Sequence, residues 1–158
     1  MGEIRRGIIY KSCIKRGFIR EMQVDFDKAK AYLDNAKKWL DATNDIFKNK
    51  HLLFVFDGCY NIIYNVAQCL ACADGYNVKK IECAMKYMEE KHSKDFEGKI
   101  NLFKYNTLII MYCNKQLFKL DFKMTEEAVF DLLEEANVIY EKAVSVYNQK
   151  KITHQTLK

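Results

Sequence analysis

A line of polar side chains within an otherwise apolar stretch is the first feature of the sequence that points to chemistry. Asp57 is followed by polar residues at i+4, i+7, i+8 and i+11, which places them on one face of a helix. Such groups need partners, because an unpaired buried amide or carboxylate costs on the order of 1–3 kcal/mol. They either satisfy one another inside the fold or across a dimer contact, or they form a surface for a ligand. The members of this polar stripe are Asp57, Asn61, Tyr64, Asn65 and Gln68.

The first 22 residues are strongly basic. Six basic groups oppose only Glu3 and Glu21 there, while the whole chain has a formal net charge of +5, and every arginine lies in this segment. A basic arm of this kind can follow the phosphates of a nucleic acid. The alternative, which we favour, is a solvated lead-in whose apolar residues pack on the rest of the fold. The candidate phosphate contacts are Arg5, Arg6, Lys15, Arg16 and Arg20, and the apolar residues are Ile4, Ile8, Ile9, Ile14, Phe18 and Ile19.

The six cysteines offer one pair with the spacing of metal ligands, Cys69 and Cys72. A zinc site needs a second pair, and Cys83 and His92 do not repeat the required spacing. Because Cys69 and Cys72 lie in a stretch typical of a helix, we expect them to pack in a helix contact and expect no metal. The sequence shows no secretory signal and no apolar run long enough to cross a bilayer. We therefore expect a cytoplasmic protein, away from membranes, whose cysteines stay reduced.

Other catalytic constellations are absent from the sequence. It contains no glycine-rich phosphate loop, no His-Glu-x-x-His and no Gly-x-Ser-x-Gly, so we expect no cofactor. We expect His51 and His92 to lie at helix ends, where capping or hydration is the ordinary role, and His154 to lie in the terminal tail. Adjacent carboxylates such as Glu126 and Glu127 indicate a solvated surface rather than acid–base catalysis.

The elements that must position these residues are helices. The chain contains no proline, where average composition would give about eight, and its apolar residues recur at three- and four-residue steps. Asp25 and Thr125 are the expected N-caps, and Gly75 is expected to end a helix in the left-handed conformation. The predicted helices span about 25–49, 52–74, 78–91, a stretch that begins near 99, and 125–148, with a loop over 92–98.

This pattern predicts an all-α fold, an antiparallel bundle of about five helices in a single domain. The expected organisation is a basic lead-in over 1–24, the helical bundle over 25–148, and a frayed tail over 149–158.

The second predicted helix resembles a known family. It looks like the central helix of HEPN domains, in which an Ala-Tyr-Tyr-Ala start leads through small residues to Ala-Leu-Leu and a closing glycine. The match has no gaps and includes Tyr60, Ala67, Leu70 and Gly75. Three further pieces are similar to the first HEPN helix, to the last helix and to the short lead-in of some members, at residues 26–40, 124–136 and 17–20 respectively.

The resemblance implies an up-and-down four-helix core that often dimerises through its central helices and acts in nucleic-acid processing. Many members are metal-independent ribonucleases or toxins, frequently encoded beside a small nucleotidyltransferase partner in a toxin–antitoxin-like pair. Because family dimers build their cleft near the central helix, Tyr60 joins the polar stripe as a candidate binding residue.

The catalytic signature of the family, an arginine followed four to six residues later by a histidine, is missing from this sequence. Cleaving RNA through its own 2′-hydroxyl needs a histidine to transfer protons and an arginine to hold the phosphate. We therefore expect a non-catalytic module that dimerises and binds a partner protein, a nucleotide or RNA. The alternatives are a ribonuclease that uses Tyr64, Lys115 and Asp57, and a purely structural interaction protein without a ligand.

Overall fold

The fold is an all-α bundle, and the described part of the chain adds a very small sheet. The computed structural model describes residues 10–96 and 125–157, and the helix expected to begin near residue 99 lies outside these ranges. The described elements in chain order are α1 (Tyr10–Lys15), β1 (Ile19–Glu21), α2 (Phe26–Lys48), α3 (Leu52–Asp74), β2 (Tyr76–Val78), α4 (Ile81–Phe96) and α5 (Glu126–Thr156). Strands β1 and β2 form a two-stranded antiparallel sheet.

Helix α3 is the centre of the core. It is apolar on most faces, and residues such as Ile62, Val66 and Leu70 have no exposed surface. It packs against α2, α4 and α5, as a helix buried on several sides must to remove its apolar surface from water. None of the helices in the described ranges is long and apolar enough to cross a membrane.

The expected helix ends are confirmed. The Asp25 side chain accepts a hydrogen bond from the backbone N–H of Lys28 at 2.8 Å, and Thr125 accepts one from Ala128 at 3.2 Å. Gly75 adopts the left-handed conformation with φ of 82°, which ends α3 and lets the chain turn directly into β2. These three ends fix where α2, α3 and α5 begin or stop.

Two expected boundaries are wrong. The predicted loop over 92–98 is helical as far as Phe96, because α4 buries both His92 and Phe96. The tail expected to fray from residue 149 is helical through Thr156, because Lys150 pairs with Asp74 and the ring of His154 packs against Phe26. Both extensions are held by contacts with distant parts of the chain, and a local periodicity does not register such contacts.

The basic lead-in is part of the folded structure from residue 10 onward. Ile19 is buried, Phe18 is half-buried against the core, and Ile14 is 48% exposed, so the expected packing of its apolar residues holds for two of these three. Strand β1 pairs with β2 in the register Ile19 with Val78 and Glu21 with Tyr76.

The expectation that all cysteines stay reduced is wrong for one pair. Cys13 of α1 and Cys83 of α4 form a disulfide, with their Cα atoms 5.7 Å apart and a sequence separation of 70. Cys59, Cys69 and Cys72 are free thiols buried on α3, and Cys113 lies outside the described residues.

Candidate functional site

The polar stripe lies on α3 and uses much of its hydrogen-bonding capacity within the fold. The amide of Asn61 donates to the carbonyl of Asp57 at 2.8 Å, and that of Asn65 donates to the carbonyl of Asn61 at 2.7 Å. The amide of Gln68, which is 2% exposed, donates to the carbonyl of Val78 on β2. These contacts are those of side chains that satisfy themselves along a buried helix.

The tyrosines of the stripe stack on each other. The rings of Tyr60 and Tyr64 are nearly parallel, with centroids 6.3 Å apart, and both side chains are half-buried. Their one-turn spacing on α3 explains the stacking. The two rings form a small aromatic surface beside the amides of the stripe, and a binding role for this surface stays a prediction.

Two lysines from a distant part of the chain lie beside the candidate phosphate contacts. Arg5 and Arg6 lie outside the described residues, whereas Lys15, Arg16 and Arg20 are exposed at the end of α1, in the following turn and on β1. Because β1 pairs with β2, the two residues that follow β2 lie beside them, and the backbone N–H of Lys79 donates to the carbonyl of Phe18 at 2.9 Å. We call the exposed set Lys15, Arg16, Arg20, Lys79 and Lys80 the basic surface.

Phe18 holds two of these cations at one place. The guanidinium carbon of Arg16 lies 4.9 Å from the centroid of its ring, and the ammonium of Lys80 lies 4.2 Å from the same centroid. Both distances are within the range of a cation–π attraction, which offsets part of the repulsion between the two positive groups. The ring therefore positions two like charges, 64 residues apart in sequence, before any ligand arrives.

Arg20 is held in place by the turn that precedes β1. Its Nε donates to the carbonyl of Gly17 at 3.0 Å. Gly17 has φ of 67°, and a Cβ atom there would lie 2.9 Å from the guanidinium. Glycine is the residue that accommodates both the positive φ and the close approach of the guanidinium. The hydrogen bond from Nε therefore holds the guanidinium of Arg20 against the turn.

The basic surface consists of five exposed cations. None of its five cations forms an ion pair with another residue in the described ranges. The acidic residues nearest to it along the chain are Glu21 and Glu82. Unpaired exposed cations keep their full attraction for a polyanion and release its counterions on binding.

A second polar cluster, centred on Asp74, was not expected from the sequence. Oδ2 of Asp74 accepts from the hydroxyl of Tyr87 and lies 2.7 Å from Nε2 of His92, while Oδ1 pairs with Lys150 at 2.5 Å. Nδ1 of His92 lies 2.8 Å from a carboxylate oxygen of Asp95. Carboxylates therefore face both ring nitrogens of His92.

Burial and hydrogen bonds within the Asp74 cluster shift the pKa values of its members. Burial by itself raises the pKa of Asp74, but hydrogen bonds from His92, Lys150 and Tyr87 outweigh it and lower that pKa to about 2. Burial and the hydrogen bond to Asp74 raise the pKa of Tyr87 well above its usual range. His92 is 2% exposed and both of its nitrogens are engaged, so its ring is not available to a substrate.

The sequence contained one signal for this cluster. His92 and Asp95 are three residues apart, which brings them together on one helix face once the segment is recognised as helical. A loop over 92–98 would not bring the two side chains together in this way.

An open cleft of about 410 Å³ borders the Asp74 cluster at the end of α5. Its lining residues include Asp95, Lys150, Phe26 and His154. Because the lining carries charges of both signs, it does not indicate whether an anion or a cation would bind there.

Cys69 and Cys72, the two free cysteines of α3 with the spacing of metal ligands, are packing residues of the core. Cys69 and Cys72 are buried, and burial raises the pKa of both thiols, that of Cys69 to about 12. No group of three potential metal ligands occurs within the described part of the chain. A thiol that does not ionise is neither a good nucleophile nor a good metal ligand.

Comparison with known proteins finds no match among family models, characterised proteins or solved structures. The HEPN family therefore stays a prediction that rests on the sequence resemblance.

Proposed function

We propose that this protein is a non-catalytic helical module that binds single-stranded RNA through its basic surface. The observation that carries the proposal is the position of Arg16 and Lys80 over one phenylalanine ring, next to Arg20 and Lys79, with no acidic partner among the described residues. Cations arranged in advance contact successive phosphates at a smaller entropic cost than mobile ones.

The choice of RNA has two supports. The resemblance to HEPN domains implies a role in RNA processing. The basic surface is a short exposed strip beside a two-stranded ribbon, which suits a flexible nucleic-acid strand that can follow it. A strip of this kind reads the backbone charge and carries little information on base sequence.

The absence of catalysis is part of the proposal. The sequence lacks the Arg-x(4–6)-His signature, and the most buried histidine, His92, has both ring nitrogens engaged by Asp74 and Asp95. Proton transfer to or from a ribose hydroxyl needs a nitrogen that the substrate can reach. We expect the purified protein to bind RNA and leave it intact.

The test is fluorescence anisotropy with a labelled single-stranded RNA of mixed sequence and a matched single-stranded DNA, titrated at several salt concentrations between about 50 and about 200 mM KCl. Replacing both Lys79 and Lys80 by glutamine should weaken RNA binding about fivefold or more and lower the salt slope by about 1.4, since each contact to a single strand contributes about 0.7. The same samples run on a denaturing gel report RNA cleavage.

The matched control replaces two exposed lysines elsewhere, Lys38 on α2 and Lys151 on α5, by glutamine. It changes the net charge equally, so any difference between the two double variants comes from position. Equal losses in both would reduce the effect to general electrostatics and contradict the proposal. Tighter binding of the DNA would overturn the choice of RNA, and RNA cleavage that a Tyr64→Phe or Asp57→Ala variant abolishes would overturn the non-catalytic assignment.

The remaining expectations belong to the same proposal. We infer that the module forms a homodimer near α3, works in the cytoplasm, and is linked to a small nucleotidyltransferase. Light scattering at tens of micromolar protein tests the dimer, and a monomer at that concentration contradicts it. Copurification of a nucleotidyltransferase tests the linkage.

A further inference from the structure

We propose that the disulfide between Cys13 and Cys83 is a redox-controlled tether that holds part of the basic surface in place. This inference rests on the proposed RNA-binding function and adds its regulation. Reduction of the disulfide releases α1 from α4, so the cations at the end of α1 no longer lie beside those that follow β2. The oxidised protein is then the tight-binding form and the reduced protein the weak-binding form.

Helix α1 depends on the disulfide because it has little else to hold it. It has six residues, and Cys13 is its single buried residue. A helix this short is unstable by itself in water. It contacts α4 and β1, and its partly buried Tyr10 adds a small area of packing. Once the S–S bond is cut, most of what fixes α1 is lost.

The disulfide is connected to the basic surface through Phe18. The carbonyl of Cys13 accepts the backbone N–H of Phe18 at 2.9 Å, and Phe18 is the residue whose ring holds Arg16 and Lys80. Lys15 and Arg16 follow Cys13 within three positions, whereas Lys79 and Lys80 lie immediately before α4 and close before Cys83. The tether therefore joins the two halves of the basic surface.

The other described cysteines do not compete for this role. Cys59, Cys69 and Cys72 lie on α3, and burial raises the pKa of each thiol, to about 12 for Cys59 and Cys69. Thiol–disulfide exchange proceeds through the thiolate, so these residues react slowly while the bundle is folded. In the reducing interior of a cell, a disulfide that persists only transiently is typical of redox sensing.

The reductant is a dithiol, either a protein with a pair of reactive cysteines or dithiothreitol. One donor thiolate attacks Cys13 or Cys83, the S–S bond breaks, and a mixed disulfide forms; the second donor thiol displaces it. Two electrons and two protons pass to the cysteines, and the donor becomes a disulfide. Because neither cysteine has exposed surface, the attack follows a local opening of α1.

The test compares RNA affinity before and after treatment with dithiothreitol, with intact mass confirming each state. We expect reduction to weaken binding about fivefold and to lower the salt slope by about 1.4, the contribution of two phosphate contacts. A Cys13→Ser, Cys83→Ser variant should bind like the reduced protein and ignore dithiothreitol. A Cys69→Ala variant, which removes a free thiol, should respond as the unaltered protein does.

A double variant at Lys15 and Arg16 separates loss of the tether from loss of folding. If reduction acts by displacing these cations, the oxidised Lys15→Gln, Arg16→Gln protein already binds weakly, and reducing it costs almost nothing more. A full further loss on reduction would contradict the mechanism. Circular dichroism of each sample confirms that α2, α3 and α5 remain folded.

The outcomes distinguish this proposal from the proposed function. If the oxidised and reduced proteins bind RNA equally while the Lys79 and Lys80 variant still binds weakly, the tether is overturned and RNA binding stands. If the oxidised protein does not bind RNA, the proposed function fails. Limited trypsin digestion then decides whether the tether exists: faster cleavage after Lys15 and Arg16 on reduction supports it, and unchanged cleavage overturns it.

Discussion

Asp74, at the end of α3, is a largely buried carboxylate whose negative charge is stabilised by partners from other helices. Its side chain is 16% exposed, yet donors from α4 and α5 converge on its two oxygens. A buried carboxylate without such partners would be strongly destabilising, whereas one with three donors is stabilised in its ionised form. Asp74 therefore joins three helices at the point where α3 ends.

Acid titration tests this role. The folded pKa of Asp74 is about 2, below the ordinary value of about 3.9 that applies in the unfolded chain. A lowered pKa contributes stability that is fully present above about pH 4 and is lost as the pH falls toward 2. We expect the Asp74→Asn protein to be less stable at neutral pH by about 2 kcal/mol, with the difference shrinking between pH 4 and pH 2.

Urea unfolding at a series of pH values measures the effect. The control is Asp41→Asn, which removes a carboxylate that pairs with Lys37 on the exposed face of α2 and is 62% exposed. Its curve should run close to that of the unaltered protein, because exposed pairs contribute little. Parallel stability curves for the unaltered and Asp74→Asn proteins would show that this carboxylate is not the origin of acid sensitivity.

At the residue scale, sequence patterns predict local features well and distant ones poorly. Asp25, Thr125 and Gly75 could be assigned because a cap depends on residues within one turn. The pairing of His92 with Asp74 depends on how α3 and α4 pack, 18 residues apart, and no local pattern encodes it. The position of Lys80 over Phe18 has the same origin, since it needs β1 to find β2.

At the scale of elements, the contact between α2 and α3 is close at one point. Gly58 on α3 faces Thr43 on α2, and a Cβ atom at Gly58 would lie 1.9 Å from the hydroxyl oxygen of Thr43. The Thr43 hydroxyl is itself fixed, because it donates to the carbonyl of Trp39 at 2.5 Å. The absence of a side chain at position 58 lets the two backbones approach.

Gly58→Ala tests this approach with a clear sign. Glycine to alanine in a helix ordinarily stabilises by up to about 1 kcal/mol, because alanine has the higher helix propensity. Here we expect destabilisation of about 2 kcal/mol or more, since the methyl group must push the two helices apart. Thermal and urea unfolding report the change, and a Gly58→Ala, Thr43→Gly variant should recover part of the loss. An increase in stability for Gly58→Ala would contradict the packing.

The bounds of α2 and α3 were predictable because both helices are long and regular. The expected ranges 25–49 and 52–74 match α2 and α3 closely, because 23 residues give many repeats of the apolar period. The strands β1 and β2 have three residues each, too few for any period to show. Helix α4 runs past its expected end because burial of Phe96 stabilises residues with a polar, loop-like composition.

At the scale of the whole molecule, the disulfide links the start of the described chain to α4. Its two cysteines lie in separate elements, 70 residues apart, and composition had favoured a reduced protein because the core is large enough without a cross-link. Chain length and apolar content indicate whether a fold requires a cross-link for stability. They do not indicate which two cysteines the β1–β2 pairing brings together, so the disulfide becomes apparent only from the structure.

Removing the disulfide should lower global stability by an amount set by this topology. Closing a loop of about 70 residues in the unfolded chain corresponds to roughly 4 kcal/mol of lost chain entropy. We expect up to that loss of unfolding free energy in urea for the reduced protein and for Cys13→Ser, Cys83→Ser, and less if the folded state relaxes by releasing α1. Hydrogen exchange followed by mass spectrometry separates the two cases. A released α1 loses protection over residues 10–16 while α3 keeps it, whereas uniform loss of protection across α1 and α3 would mean that the disulfide supports the whole bundle and does not act as a local tether.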